Sequence, residues 1–214
     1  MIDGPRIPPA SGGPARHLVV LLHGYGADGN DLIDIGRHWA PLLPDTAFVS
    51  PNAPEPCDQA PMGRQWFPLS VIDMDLIADG VRQAAPVVNA FLDSELERYG
   101  LTDANLALVG FSQGAMMALH VGPRRPAPIA GIVSYSGMLA GPERLAEEAA
   151  GKPPVLLVHG DADPIVPVMA LHGAVPALAE AGFAAEWHVS PGLEHGIDGA
   201  GLQLGAAFLR RVLV

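Results

Sequence analysis

From about residue 18 onward, short runs of unbroken apolar residues alternate with longer stretches in which apolar positions recur every three or four residues. Runs of four to six residues with no polar face suit strands buried on both sides, and the three-to-four spacing suits helices that bury one stripe. The pattern predicts strands at Leu18–His23, Thr46–Pro51, Leu106–Phe111, Gly131–Ser136, Val155–His159 and Ala184–Ser190. Between them it predicts helices at Asp28–Trp39, Asp75–Tyr99, Gln113–Val121, Pro142–Ala149, Val166–Ala181 and Ile197–Val212. In the longest, Leu76, Ile77, Val81, Val87, Val88, Phe91, Leu92, Leu96 and Tyr99 carry the stripe, and Pro86 is expected to kink it. Strands alternating with helices in this order imply a mainly parallel sheet with helices on both faces.

Two segments stand outside this rhythm. Residues 1–17 are rich in Pro and Gly and read as a tail or, at most, an edge hairpin. The stretch Pro51–Ser70 holds five prolines together with Met62, Trp66, Phe67 and Leu69. It is too long for a plain connection, and loops of that length commonly carry function. The 214 residues otherwise read as one catalytic domain over 18–214, with no internal repeat.

Composition narrows the class. The mean hydropathy is +0.26, yet runs such as Leu18–Leu22 and Val155–Val158 are far too short to cross a bilayer. The opening residues lack the basic-then-apolar order of a secretory signal, so a cytoplasmic location is expected. A net charge of −11 argues against nucleic acid and anionic membrane surfaces as partners. Arg124-Arg125 and Arg210-Arg211 are isolated pairs that read as solvated helix ends. Cys57 is the one cysteine, which excludes an internal disulfide and a cysteine-rich zinc site; it reads as an inert or surface thiol.

The chemistry gathers at strand ends. Gly110-Phe111-Ser112-Gln113-Gly114 closes an apolar strand and opens a helix, and glycines on both sides of Ser112 make room for a sharp turn that lifts the hydroxyl out of the sheet. A serine hydroxyl needs a base. Of eight histidines, His195 fits best, because it follows the strand ending at Ser190 in the loop Pro191-Gly192-Leu193-Glu194, whereas His38, His120 and His172 fall in helices and His17 beside the tail. The base needs an acid to hold its tautomer, and His159-Gly160-Asp161-Ala162-Asp163 offers two. Asp163 is preferred as the one that can swing over the sheet edge, leaving Asp161 to brace the turn. The order Ser112, Asp163, His195 is that of an α/β-hydrolase. Oxyanion donors are expected at the backbone N–H of Gln113 and, from the glycine-rich loop His23-Gly24-Tyr25-Gly26, at that of Tyr25. That loop lacks the spacing of a phosphate-binding loop, and His23, His159 and Asp161 fit packing roles better than a metal site.

Together these motifs resemble the phospholipase/carboxylesterase family that includes the acyl-protein thioesterases. The resemblance rests on Leu22-His-Gly-Tyr-Gly-Ala-Asp-Gly-Asn-Asp31, Arg64-Gln-Trp66-Phe67, Gly110-Phe-Ser-Gln-Gly114, Ser134-Tyr-Ser-Gly137, His159-Gly-Asp-Ala-Asp163-Pro-Ile-Val-Pro167 and Glu194-His195-Gly196. It implies an α/β-hydrolase fold without a large cap domain, hydrolysis of carboxylic esters and of thioesters or lysophospholipids, a homodimer, and no cofactor or metal. By position, Ser112, Asp163 and His195 match the family's triad, and Tyr25 with Gln113 its oxyanion donors. The chain departs from the family's usual leucine at Tyr25, whose ring is expected to narrow the acyl entrance, and from its usual aspartate after the Trp-Phe pair, where Pro68-Leu69 stands.

An acyl pocket is expected from apolar residues in or beside loops at the active edge: Met62, Trp66, Phe67, Leu69, Met138 and Ile165. Such a lining suits short to medium acyl chains. Rival readings are a peptidase or lactonase on the same scaffold and a catalytically silent domain that binds a small ligand.

Overall fold

The chain is described by a computed structural model over residues 2–69, 71 and 73–213; Met1, Ser70, Ile72 and Val214, which end or fall within the segments named above, lie outside the described residues. In chain order the strands are β1 (Arg6–Ile7), β2 (His17–Leu22), β3 (Thr46–Val49), β4 (Glu55–Cys57), β5 (Ala60–Gln65), β6 (Leu106–Phe111), β7 (Gly131–Tyr135), β8 (Val155–Gly160) and β9 (Ala185–Ser190). The α-helices are α1 (Gly29–Trp39), α2 (Met74–Tyr99), α3 (Gln113–Val121), α4 (Pro142–Glu148), α5 (Met169–Glu180) and α6 (Gly199–Val212). The main sheet runs β1-β3-β2-β6-β7-β8-β9, parallel throughout except for β1.

Alternation within each strand divides the core. Leu18, Val20 and Leu22 of β2, with Leu106, Leu108, Val155 and Leu157, face α2, α3 and α5, while Val19, Leu21, Val109, Val133 and Val158 face α1 and α6. Both faces are therefore dry, which explains the unbroken apolar runs. The chain passes from β2 outward to β3, then returns to the other side of β2 at β6. Loops leaving β2 and β6 consequently diverge, and a crevice opens at the carboxyl ends of these strands.

Several expectations change in detail. The expected tail supplies β1, which pairs antiparallel with β3 (Arg6 with Val49, Ile7 with Phe48) and so forms an edge strand instead of a hairpin. The proline-rich stretch folds into the antiparallel hairpin β4–β5. α5 begins at Met169, three residues later than expected, because the Val166 N–H is taken by the Asp163 side chain and the Val166 carbonyl by His159. α2 is one helix with Pro86 inside it, as expected, and begins one residue earlier, at Met74. Arg125 is buried, bonding Asp93, Asp103 and Asn89, and Arg124 is held by Glu148, so this pair belongs to structural ion networks and not to a solvated helix end. Cys57 is buried.

Candidate active site

Ser112 sits at φ 52°, ψ −117°, between β6 and α3. A non-glycine residue at positive φ stores about 1–3 kcal/mol of backbone strain and persists only where its surroundings hold it. Here the Ser112 N–H donates to Tyr135 C=O at 2.9 Å, and its carbonyl accepts from Ala115 and Met116 at 3.0 and 3.1 Å. The two glycines of the motif are required by close approach: a Cβ on Gly110 would meet Ala115 Cα at 2.5 Å, and one on Gly114 would meet the His23 carbonyl at 2.6 Å. Every residue of α3 is buried, so the helix cannot drift away from the turn it begins.

The loop after β2 lies directly against this turn. The His23 ring, wholly buried, accepts the Ala53 N–H at Nε2 (3.0 Å), so Nδ1 carries the proton and donates to Gly24 C=O (2.8 Å). Burial holds this imidazole below the ordinary histidine range, in keeping with a neutral ring. Gly26 N–H donates to Arg64 C=O at 2.9 Å and Arg64 N–H to Ala27 C=O at 2.8 Å, tying the loop to β5, while the Arg64 guanidinium bonds the Ala53 and Pro54 carbonyls. Among the described residues, neither the Tyr25 nor the Gln113 backbone N–H donates to a protein acceptor.

Asp163 and His195 meet from two further loops. His195 Nδ1 donates to Asp163 Oδ2 at 2.7 Å, and the Ile165 and Val166 N–H groups donate to Asp163 Oδ1 at 2.8 Å each. Burial pushes this carboxyl upward, but the His195 hydrogen bond and the two amides outweigh it and hold it below the usual carboxylate range. Asp161 accepts Gly192 N–H at 2.6 Å and so braces the loop that carries His195. Ser112 and His195 line one cleft of about 310 Å³ with Tyr25, Leu69, Met116 and Ile165. No hydrogen bond joins Ser112 Oγ to His195 among the described residues; such contacts commonly tighten only when substrate is bound. An adjoining apolar cavity of about 420 Å³ between α4 and α5 shares Met138 with the cleft.

The family model described as Phospholipase/Carboxylesterase matches residues 7–213. The chain belongs to the phospholipase/carboxylesterase family. It is 32% identical over 197 residues to Esterase YpfH of Escherichia coli K12, covering 92% of this chain and 83% of that protein. It is also 32% identical over 168 residues to Acyl-protein thioesterase 1 of Saccharomyces cerevisiae, covering 72% and 74%. Among solved structures, the crystal structure of esterase PE8 superposes with a TM-score of 0.95 at 48% identity, over 99% of both chains. Arabidopsis thaliana SOBER1 superposes at 0.79 with 27% identity, over 94% of this chain and 100% of that one. The fold is thus an α/β-hydrolase without a large cap, and the chain is a carboxylesterase/thioesterase-like hydrolase.

Within this phospholipase/carboxylesterase framework the expected pocket residues divide. Leu69, Met138 and Ile165 line the cleft, and Tyr25 stands at its wall. Met62 does not: it is 93% exposed on β5, beside the Gly26–Asp31 segment. Trp66 and Phe67 do not line it either; both are buried in contacts within the scaffold. Trp66 Nε1 donates to His23 C=O and Phe67 packs onto Gly80, where a Cβ would collide with its ring. Aromatic residues next to a motif can serve the scaffold as well as the ligand, and the folded contacts of Trp66 and Phe67 are with the scaffold. Val71, Ile77 and Met116 also line the cleft and escaped the sequence reading. Met116 was the findable one, since it lies one helical turn beyond Ser112 and shares its side of α3.

Proposed function

We propose that the protein hydrolyses carboxylic esters of short to medium acyl chain length through an acyl-enzyme on Ser112. The observation that carries this reading is the part-buried Asp163–His195 hydrogen bond, whose His195 lines the same cleft as a strained serine at the N-terminus of a buried helix. His195 takes the hydroxyl proton as Ser112 attacks the carbonyl carbon, and the Tyr25 and Gln113 N–H groups, free of protein acceptors, hold the oxyanion. His195 then gives the proton to the leaving alcohol. Water attacks the acyl-enzyme by the same route in reverse. Asp163, kept ionised, holds the Nδ1 proton and stabilises the imidazolium that forms. A cleft of about 310 Å³ with an apolar wall supports small acyl groups, being at the lower end of the range for small-molecule sites, ~300–1,000 Å³.

Thioesters and lysophospholipids present the same acyl carbonyl, and the named thioesterase relatives support including them in the substrate range. The protein acts in this proposal as a cytoplasmic homodimer without a cofactor. Hydrolysis of p-nitrophenyl esters of graded acyl length, with Ser112→Ala as control and fluorophosphonate labelling of the parent, tests it. Loss of both turnover and labelling in Ser112→Ala is expected; parental turnover in that variant would refute it.

A further inference from the structure

The two amides proposed to hold the oxyanion, one in the loop after β2 and one at the start of α3, are far apart in sequence, and a set of buried side chains joins one to the other. Gln113 is fully buried; its Oε1 accepts the Trp66 N–H at 2.9 Å and its Nε2 donates to the Phe67 carbonyl at 2.7 Å. The Trp66 indole N–H donates in turn to the His23 carbonyl at 2.9 Å, and the two rings lie 5.3 Å apart. His23 is itself anchored through Ala53 and Gly24. A continuous path therefore runs from the side chain of Gln113 through Trp66 to the peptide just upstream of Tyr25. Backbone pairing ties this loop to β5 at Gly26 and Ala27, but Gly24 faces the nucleophile turn without a side chain: a Cβ there would stand 3.1 Å from Phe111 Cδ1 and 3.4 Å from Ser112 Cβ.

We propose that Trp66 and the Gln113 side chain are positioning residues that fix the separation of the Tyr25 and Gln113 amides, so that they act on the transition state and not on ground-state binding. If Ser112 and the two amides work as described under the proposed function, a loosened loop moves one donor off the oxyanion while leaving the acyl wall of the cleft unchanged. Trp66 contributes no surface to that wall. A donor displaced by a fraction of an ångström costs a substantial part of the roughly 10²–10³-fold that removing one donor costs.

The test is Trp66→Phe, which deletes the indole N–H and keeps an aromatic ring, read against a trifluoromethyl ketone. In that adduct a bond forms between Ser112 Oγ and the ketone carbon, the carbonyl π pair becomes the oxyanion, and the serine proton passes to His195. We expect kcat/KM to fall about tenfold or more, the inhibition constant to rise by a similar factor, and KM to stay level. Leu209→Ala, a core truncation in α6 on the opposite face of the sheet from Trp66, serves as the stability control; it should lower Tm and move neither quantity. Trp66→Phe behaving like Leu209→Ala would overturn the inference.

Gln113→Glu supplies an independent reading should Trp66→Phe fold poorly. An ionised carboxylate cannot donate to the Phe67 carbonyl, whereas a protonated one can. The ratio of its activity to that of the parent should therefore rise as pH falls from about 9 to about 5, the span in which a buried glutamate titrates. A flat ratio would count against the network. Ser112→Ala separates the two levels: parental turnover there removes the proposed function and the inference with it, whereas an inactive Ser112→Ala beside a parent-like Trp66→Phe removes the inference alone.

Discussion

Asp163→Asn removes one negative charge with almost no change in volume, and the structure fixes which way the new amide must face. The two backbone N–H groups of Ile165 and Val166, each 2.8 Å from Oδ1, can be satisfied only by an oxygen. The asparagine NH2 group is then left 2.7 Å from His195 Nδ1, where it can only donate. Nδ1 has to become the acceptor, the ring proton moves to Nε2, and the nitrogen that should take the Ser112 proton is already occupied. In serine hydrolase triads this tautomer error lowers kcat by about 10⁴-fold, equivalent to about 5.5 kcal/mol in the barrier. Steady-state hydrolysis of p-nitrophenyl butyrate at neutral pH measures it, with circular dichroism to show that the variant folds. Asp161→Ala, which frees only the exposed Gly192 N–H, should cost less than about tenfold by comparison. An Asp163→Asn enzyme within about tenfold of the parent kcat would refute the assignment of Asp163 as the orienting acid.

Two further outcomes follow from burial and cavity shape. His120 is buried in α3 with no partner for Nδ1 among the described residues, and desolvation, helped by Arg124, lowers its pKa from 6.5 to about 4. The unfolded chain takes up this proton first, so stability is complete above about pH 6.5 and is lost as pH falls toward about 4, by about 3 kcal/mol. Urea denaturation across that window should show the slope in the parent and a flatter one in His120→Gln; parallel slopes would exclude His120 as the cause. Met138 lines both the cleft and the neighbouring 420 Å³ cavity, so Met138→Ala should join them and move the preferred acyl chain to greater length. An unchanged acyl-length profile would show that the cavity is not open to substrate.

Much of this architecture was readable along the chain because its information is local. Strands buried on both faces must be apolar at every position, as in Leu18–Leu22 and Leu106–Val109, and such runs identify themselves. The turn at Ser112 demands small neighbours at Gly110 and Gly114 within five residues, and Asp28, Asp73 and Asp198 cap their helices from the adjacent position. Parallel strands with helical crossovers then oblige Ser112, Asp163 and His195 to emerge at one edge of one sheet. Residue type, order and strand end were therefore set by the amino-acid sequence itself.

Side-chain placement across distant segments was decided only by the folded chain. Trp66 and Phe67 could have faced the cleft or the core; the Trp66 indole N–H donates to the His23 carbonyl, 43 residues away, and the Phe67 ring packs onto Gly80, so both lie inward. Arg125 looked like a solvated helix end until three side chains from residues 89–103 closed around it. Met62 pointed outward because the hairpin β4–β5 set its face, and hairpin register depends on pairing, not on the hydrophobicity of one residue. Sequence pattern records what each residue needs from its neighbours along the chain, whereas contacts between remote segments arise from packing, which no local pattern encodes.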